Sequence, residues 1–218
     1  MIDYTKKTVV DGDPEKLGTW HKGVLKVMSF KHKKVLDIGC GSGSFLLHLK
    51  DVTSEVAGVD PNKENCEVVR RHGIEVFNDY PENLPKEYYA KFDIATNFEV
   101  IEHTYTHKEI VKTMSDVLVT SGVGVITTPN AFNIMRRVKF LFLEEHHDSL
   151  MDPTRSDSPE HLRLWSYPMM KRLCDNIPGI AVNKVLGISS VGGRVFVLRN
   201  RFLVGFLAQH LVAILKKK

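Results

Sequence analysis

Residues 35–43 read Val-Leu-Asp-Ile-Gly-Cys-Gly-Ser-Gly, and a second apolar run ends in Asp60, seventeen residues after Gly43. Glycines alternating at the exit of a strand let the backbone approach a ligand closely. They also leave amide N–H groups exposed where a helix begins. A carboxylate closing the next strand can accept hydrogen bonds from both hydroxyls of a ribose. Together these features describe a place for a nucleoside-containing cofactor. The glycines at 39, 41 and 43 lack the Gly-x-Gly-x-x-Gly spacing of a dinucleotide site, because Ser44 stands where the third glycine would fall. Asp37, two residues ahead of the first glycine, would repel a pyrophosphate but suits the ammonium of an amino-acid group.

A second group lies at 98–103, Phe-Glu-Val-Ile-Glu-His. On a helical turn Glu99, Glu102 and His103 stand at i, i+3 and i+4 and share one face. Two readings fit. The acids can simply favour a helix start, with the histidine bonded to a neighbour. Alternatively, the three hold a divalent cation through oxygens and one nitrogen. His146 and His147, adjacent in a polar stretch, read as surface histidines.

These groups need elements to carry them. Short aliphatic runs at 33–38, 55–60, 73–77, 92–97 and 123–128 read as buried strands. Helical patterns at 44–50, from Asn62 to about Arg71, and around Ile110–Leu118 fall between them. Ser121-Gly122 is expected to end the last of these helices. The alternation predicts an α/β fold with a doubly wound, mostly parallel sheet and helices on both faces. Both groups then fall where ligands bind, beyond the carboxyl ends of the strands. Residues 14–30 and 131–143 read as helices, 144–160 as a polar loop, and Ser166 as the cap of a further helix opened by Pro168. Ile180–Val185 and Arg194–Leu198 read as strands 6 and 7.

At 218 residues the chain reads as a single domain, with an N-terminal helical cap (1–30), a lid (131–165) and an apolar C-terminal helix (200–218). Charged residues make up 26% and hydrophobic ones 43%, as in ordinary globular proteins. Cys40, Cys66 and Cys174 lack metal-site or disulfide spacing, and the first residues lack a signal-peptide core; a cytoplasmic protein is expected.

Asp37-x-Gly39-x-Gly41-x-Gly43 followed by Asp60 resembles the first two motifs of class I S-adenosylmethionine-dependent methyltransferases. The resemblance implies a seven-stranded sheet with an antiparallel final hairpin. It also implies that Asp37 and the three glycines cradle the amino-acid end of the cofactor, and that Asp60 holds the ribose. Asp79 would lie near the adenine, with Asn97 and Phe98 bordering the methyl. Glu99-x-x-Glu102-His103 is similar to the pattern of ubiquinone-pathway O-methyltransferases and of small-RNA 2′-O-methyltransferases; Thr128-Pro129-Asn130 and the later His161 resemble what the RNA enzymes add to it. That similarity implies a metal site of Glu99, Glu102, His103 and His161, holding Mg2+ or another divalent cation. Without a metal, His103 or His161 would serve as general base.

The expected acceptor is a hydroxyl on a small molecule: lipid-linked, quinone-like or a sugar. RNA is the rival acceptor, and the acids Glu144, Glu145, Asp148 and Asp152 argue against nucleic acid. A non-catalytic cofactor-binding module is a third reading. Residues 202–215 are apolar but shorter than the roughly 20 needed to span a bilayer. They are expected either to pack in a core or dimer interface, or to lie on a membrane with Lys216–Lys218 against anionic lipid. Monomer and homodimer both remain open.

Overall fold

The computed structural model describes residues 13, 15–143 and 161–218. Eight strands form one sheet in the order β3-β2-β1-β4-β5-β8-β6-β7. The strands are β1 (Lys34–Ile38), β2 (Glu55–Val59), β3 (Glu75–Phe77), β4 (Phe92–Phe98), β5 (Leu118–Pro129), β6 (Ile180–Val191), β7 (Arg194–Leu198) and β8 (His210–Lys217). β1 to β5 pair in parallel. β8 runs antiparallel to both β5 and β6, and β7 closes the edge as an antiparallel hairpin with β6. Helices α1 (Thr19–Leu25), α2 (Ser44–Leu49), α3 (Lys63–Arg71), α4 (His107–Val117), α5 (Ile134–Leu143), α6 (Tyr167–Lys171) and α7 (Arg201–Leu207) complete the fold.

Strand residues alternate between two cores, as the pleat requires. Leu36, Ile38 and Ile126 face one side, under Val111 and Met114 of α4, Met170 of α6 and Val204 of α7. Val35, Ile94, Phe98, Val125 and Val212 face the other, under Val24 of α1 and Phe45 of α2. Each such aliphatic side chain contributes roughly 1.5–3 kcal/mol when fully buried. α3 starts at a side-chain cap, the Asn62 carboxamide oxygen accepting from the Asn65 amide at 2.9 Å.

Three expectations about elements need correction. The N-terminal helix is shorter than 14–30, ending at Leu25. Ser121-Gly122 does not end a helix: α4 stops at Val117, β5 begins at once, and Ser121 sits inside it at φ 63°. Residues 202–215 are not one helix. Only Arg201–Leu207 is helical, and His210–Lys217 is an interior strand. An unbroken apolar run has the same pattern in a buried helix and in a strand covered on both faces, so periodicity does not distinguish them. Lys216 and Lys217 are engaged within the fold: Lys216 Nζ donates to the Ser121 carbonyl, and Lys217 Nζ to those of Ser115 and Leu118. The eighth strand is therefore the second half of the segment expected to be a C-terminal helix.

Candidate functional site

The glycine turn lies between β1 and α2. Gly39, Gly41 and Gly43 all have positive φ (74°, 53° and 83°), where a side chain is strained. Space excludes one as well: a Cβ at Gly39 would stand 2.7 Å from Val100 Cγ2, and one at Gly43 2.8 Å from Val69 Cγ2. Val100 stands two residues past the end of β4, so the turn and the second group pack against each other.

Asp37 is buried on β1, and its Oδ1 accepts from Thr96 Oγ1 on β4 at 2.6 Å. Burial raises its pKa to about 7, the negative Asp60 adding to the rise while the Thr96 hydroxyl opposes it. A cationic ligand group would restore its ionised form. Asp60, at the end of β2, accepts from the Gly41 amide (2.9 Å) and the Asn62 amide (2.9 Å). It thus ties the turn to the second strand. Asp79 follows β3 in a loop and accepts from the Tyr80 amide and Asn83 Nδ2.

Asn97 donates to the Ile38 carbonyl at 2.8 Å, beside the glycine turn, while its buried Oδ1 has no protein partner among the described residues. An orphaned acceptor there fits a ligand that supplies a donor. The ring of Phe98, the next residue of the strand, lies on the other face from the Asn97 side chain. It packs against Phe45 (4.8 Å between centroids) and His21 (5.0 Å), on the α1 and α2 side of the sheet.

The acidic group divides. A 3-10 turn covers Ile101–His103, so Glu99 precedes the helical geometry that would have aligned it with Glu102. With φ at 54°, Glu99 turns toward the opposite side of the sheet. There its Oε1 accepts from Thr127 Oγ1 (2.8 Å) and its Oε2 pairs with His210 Nδ1 (3.0 Å). The ring of Trp20 lies 5.2 Å from that of His210. Glu102, 1% exposed, goes the other way and accepts from Thr128 Oγ1 at 3.0 Å. Neighbouring threonines of one strand point to opposite faces and hold the two acids apart.

On the Glu102 side, one ligand atom each from Glu102, His103 and His161 lies within 4.8 Å of the others. The rings of His103 and His161 are 4.8 Å apart. His161 is held there by its own segment: the Arg163 amide donates to the Glu102 carbonyl (3.1 Å), and the Arg163 guanidinium to the carbonyls of Thr104 and Tyr105. The Ala131 amide donates to the Trp165 carbonyl, joining the segment to the end of β5. Among the expected ligands, then, Glu102, His103 and His161 come together and Glu99 does not. His146, His147 and the acids at 144, 145, 148 and 152 lie outside the described residues.

Several site residues carry no sequence signal of their own. Thr127, His210, His21 and Trp20 reach the site only through strand order and the packing of α1. Asn130 of the Thr-Pro-Asn run holds α7, its Nδ2 donating to the carbonyls of Val204, Gly205 and Ala208.

An open α/β sheet with a glycine turn after its first strand and an acid after its second is the frame of a nucleoside-cofactor binding domain. Residues 15–177 match the methyltransferase domain family, and the chain belongs to it. Its fold is that of S-adenosylmethionine-dependent methyltransferases. It is similar to the ubiquinone biosynthesis O-methyltransferase of Proteus mirabilis, 35% identical over 104 residues (45% of this chain, 42% of that protein). That of Bartonella quintana is 29% identical over 116 residues (51% and 47%). The chain thus spans under half the length of these curated relatives. Among solved structures, a Thermotoga maritima methyltransferase, described as a possible histamine N-methyltransferase, superposes with TM-score 0.68 at 18% identity (92% of this chain, 88% of that one). A Pyrococcus horikoshii protein gives 0.63 at 19% identity (92% and 88%). At these identities the structural likeness speaks for the fold alone.

Proposed function

We propose that the chain transfers the methyl of S-adenosylmethionine to a hydroxyl oxygen of a small molecule, assisted by a divalent cation at Glu102, His103 and His161. The observation that carries this reading is the meeting of those three ligand atoms from two distant segments, at the carboxyl edge of the sheet beside the glycine turn. Local helix geometry does not bring His161 there. In this reading Asp37 receives the cofactor's ammonium, Gly39, Gly41 and Gly43 admit its methionine backbone, Asp60 binds the ribose and Asp79 lies toward the adenine. The Asn97 carboxamide completes the wall. The cofactor's sulfonium already activates the methyl, so the protein's task is positioning.

A cation here would draw the acceptor hydroxyl toward its ionised form. Two imidazoles and one carboxylate suit Mn2+, Fe2+ or Zn2+ better than Mg2+, which prefers oxygen ligands. Without a cation, His103 or His161 is placed to accept the hydroxyl proton. The small-molecule acceptor is drawn from the name shared by the curated relatives, whose own acceptors belong to a quinone pathway. The enzyme is expected to work in the cytoplasm or at a membrane surface facing it.

Titration with Mn2+ followed by electron paramagnetic resonance tests the cation site. Glu102→Gln and His161→Ala should weaken binding at least about tenfold, as ligand loss does, and acid should release the ion because a protonated imidazole cannot ligate. Glu99→Gln should leave binding unchanged. Equal binding by all four proteins would remove the cation from the reading and leave the histidines as bases.

A further inference from the structure

β7 is an edge of the sheet, and α1 lies across the neighbouring strands toward it. The Trp20 ring packs beside His210 of β8, and Gly23 rests on Ile188 of β6, where a Cβ would stand 2.3 Å from Cδ1. Lys26, the C-terminal cap of α1, reaches β7 itself, its Nζ donating to the Val195 carbonyl at 2.6 Å. Along this edge runs an open groove of about 570 Å3, lined by Lys22, Lys26, Gly193, Arg194, Val195 and Phe196. That is the size of a small-molecule site. Three cations share it, and no acid stands on its walls. Lys22 and Lys26 are four apart on one helical face, where like charges repel. Among the described residues the Lys22 ammonium and the Arg194 guanidinium meet no carboxylate. The flanking sequence supplies none either: no acid lies between Glu15 and Asp37, and none follows Asp175. Asp37 is buried at the glycine turn. The remaining wall is apolar, with Phe196 49% exposed and two residues from Arg194 on the same face of β7. Gly192 and Gly193 form the hairpin turn at φ 55° and 75°, and a Cβ at either would meet nothing within 4 Å, so this end of the groove is open.

We propose that this groove binds a phosphate-bearing small molecule, with the phosphate between Lys22, Lys26 and Arg194 and an apolar part of the ligand against Phe196. Two ammonium groups and a guanidinium, brought from two elements, can meet several oxygens of one phosphate, whereas a carboxylate offers only two. A nucleic-acid strand needs a longer basic track with successive stacking rings, and Phe196 is the single ring on these walls. The site goes beyond the proposed methyl transfer and does not rest on it. β7 lies four strands from β4, roughly 19 Å at the usual strand spacing, so the groove is separate from the cofactor and cation positions.

The test is titration of the full chain with phenyl phosphate and with inorganic phosphate in metal-free buffer, followed by amide NMR shifts. Phenyl phosphate is expected to bind saturably and one to one, more tightly than inorganic phosphate, and to move the amides of residues 193–196. Lys22→Ala and Arg194→Ala should each weaken it about tenfold, as loss of a charged hydrogen bond does. Phe196→Ser should bring phenyl phosphate down to the affinity of inorganic phosphate. Lys31→Ala removes an exposed lysine of the loop before β1 and should change nothing. All four variants should melt with the native chain, because these side chains are exposed. Shifts that grow without saturating, or an equal loss in Lys31→Ala, would reveal only diffuse attraction between charges and overturn the proposal. So would a short single-stranded RNA that displaces phenyl phosphate and binds more tightly, which would assign the groove to nucleic acid.

Discussion

Replacing Asp37 by asparagine should strengthen the empty protein and weaken the loaded one. The carboxylate is buried, and its pKa stands near 7 against an ordinary 3.8. An acid with a raised folded-state pKa costs stability as pH climbs from the unfolded value through the folded one. Above about pH 7 the cost reaches its ceiling, about 4 kcal/mol for a shift of this size. Asparagine keeps an oxygen for the Thr96 hydroxyl and removes the charge. Calorimetric melting without cofactor should therefore show Asp37→Asn melting above the native chain at pH 8. The gain should shrink toward pH 5, where the native carboxyl is already protonated. Each kcal/mol corresponds to roughly 2–4 °C for a chain of this size. With S-adenosylmethionine the order reverses. Losing a charged hydrogen bond to the ammonium, worth about 1.5–3 kcal/mol, should weaken binding about ten- to a hundredfold. Native affinity should itself rise with pH through 7, because the ammonium selects the ionised carboxylate. A variant that melts lower at pH 8, or binds the cofactor as tightly as native, would refute both the buried-charge argument and the assignment of Asp37.

Asp60→Ala should lower S-adenosylmethionine affinity by roughly 1.5–3 kcal/mol per charged hydrogen bond lost; unchanged affinity in isothermal calorimetry would sink its ribose role. Ala213→Asp buries an unpaired charge in the interior strand β8, so circular dichroism should show loss of the cooperative melt. A folded variant, or a folded chain lacking 210–217, would contradict the strand order. Burial and the neighbouring His48 push the His21 imidazole down to about 3. An imidazole with a lowered folded-state pKa loses stability as pH falls below about 6.5, where the unfolded chain takes up a proton first. His21→Phe should flatten that acid branch of the melting curve, and an unaltered slope between pH 6.5 and 3 would count against a neutral, buried His21.

The parallel half of the sheet was legible because each strand is a short aliphatic run punctuated by glycine, proline or asparagine. The glycine turn and Asp60 declared themselves by spacing. What stayed hidden depends on information that a linear pattern does not hold. Residues 202–215 are apolar throughout, and only the pairing of β8 with both β5 and β6 decides between strand and helix. Glu99 matches Glu102 by helical spacing, but the helical turn begins only at Ile101, two residues later. Its positive φ accompanies a bond from its own amide to the Thr127 carbonyl, a pairing the linear pattern does not announce. His161 joins His103 through a main-chain bond from Arg163 to Glu102, across nearly sixty residues. Only the family resemblance, not spacing, pointed to that meeting.

Thr127 and Thr128 hold two acids on opposite sides of one strand end, and this has a consequence for how the site can change over evolutionary time. A substitution at Thr128 touches the group built around Glu102, while one at Thr127 touches the Glu99–His210 pair, and neither need disturb the other. The two halves can therefore drift separately, one altering its ion or base and the other its contact with the α1 cap. A one-residue slip of β5 would exchange both partners at once. Pairing with β4 on one side and β8 on the other guards against that slip. The strand is rigid as a ruler and permissive at its last two marks, which suits a scaffold reused for many acceptors.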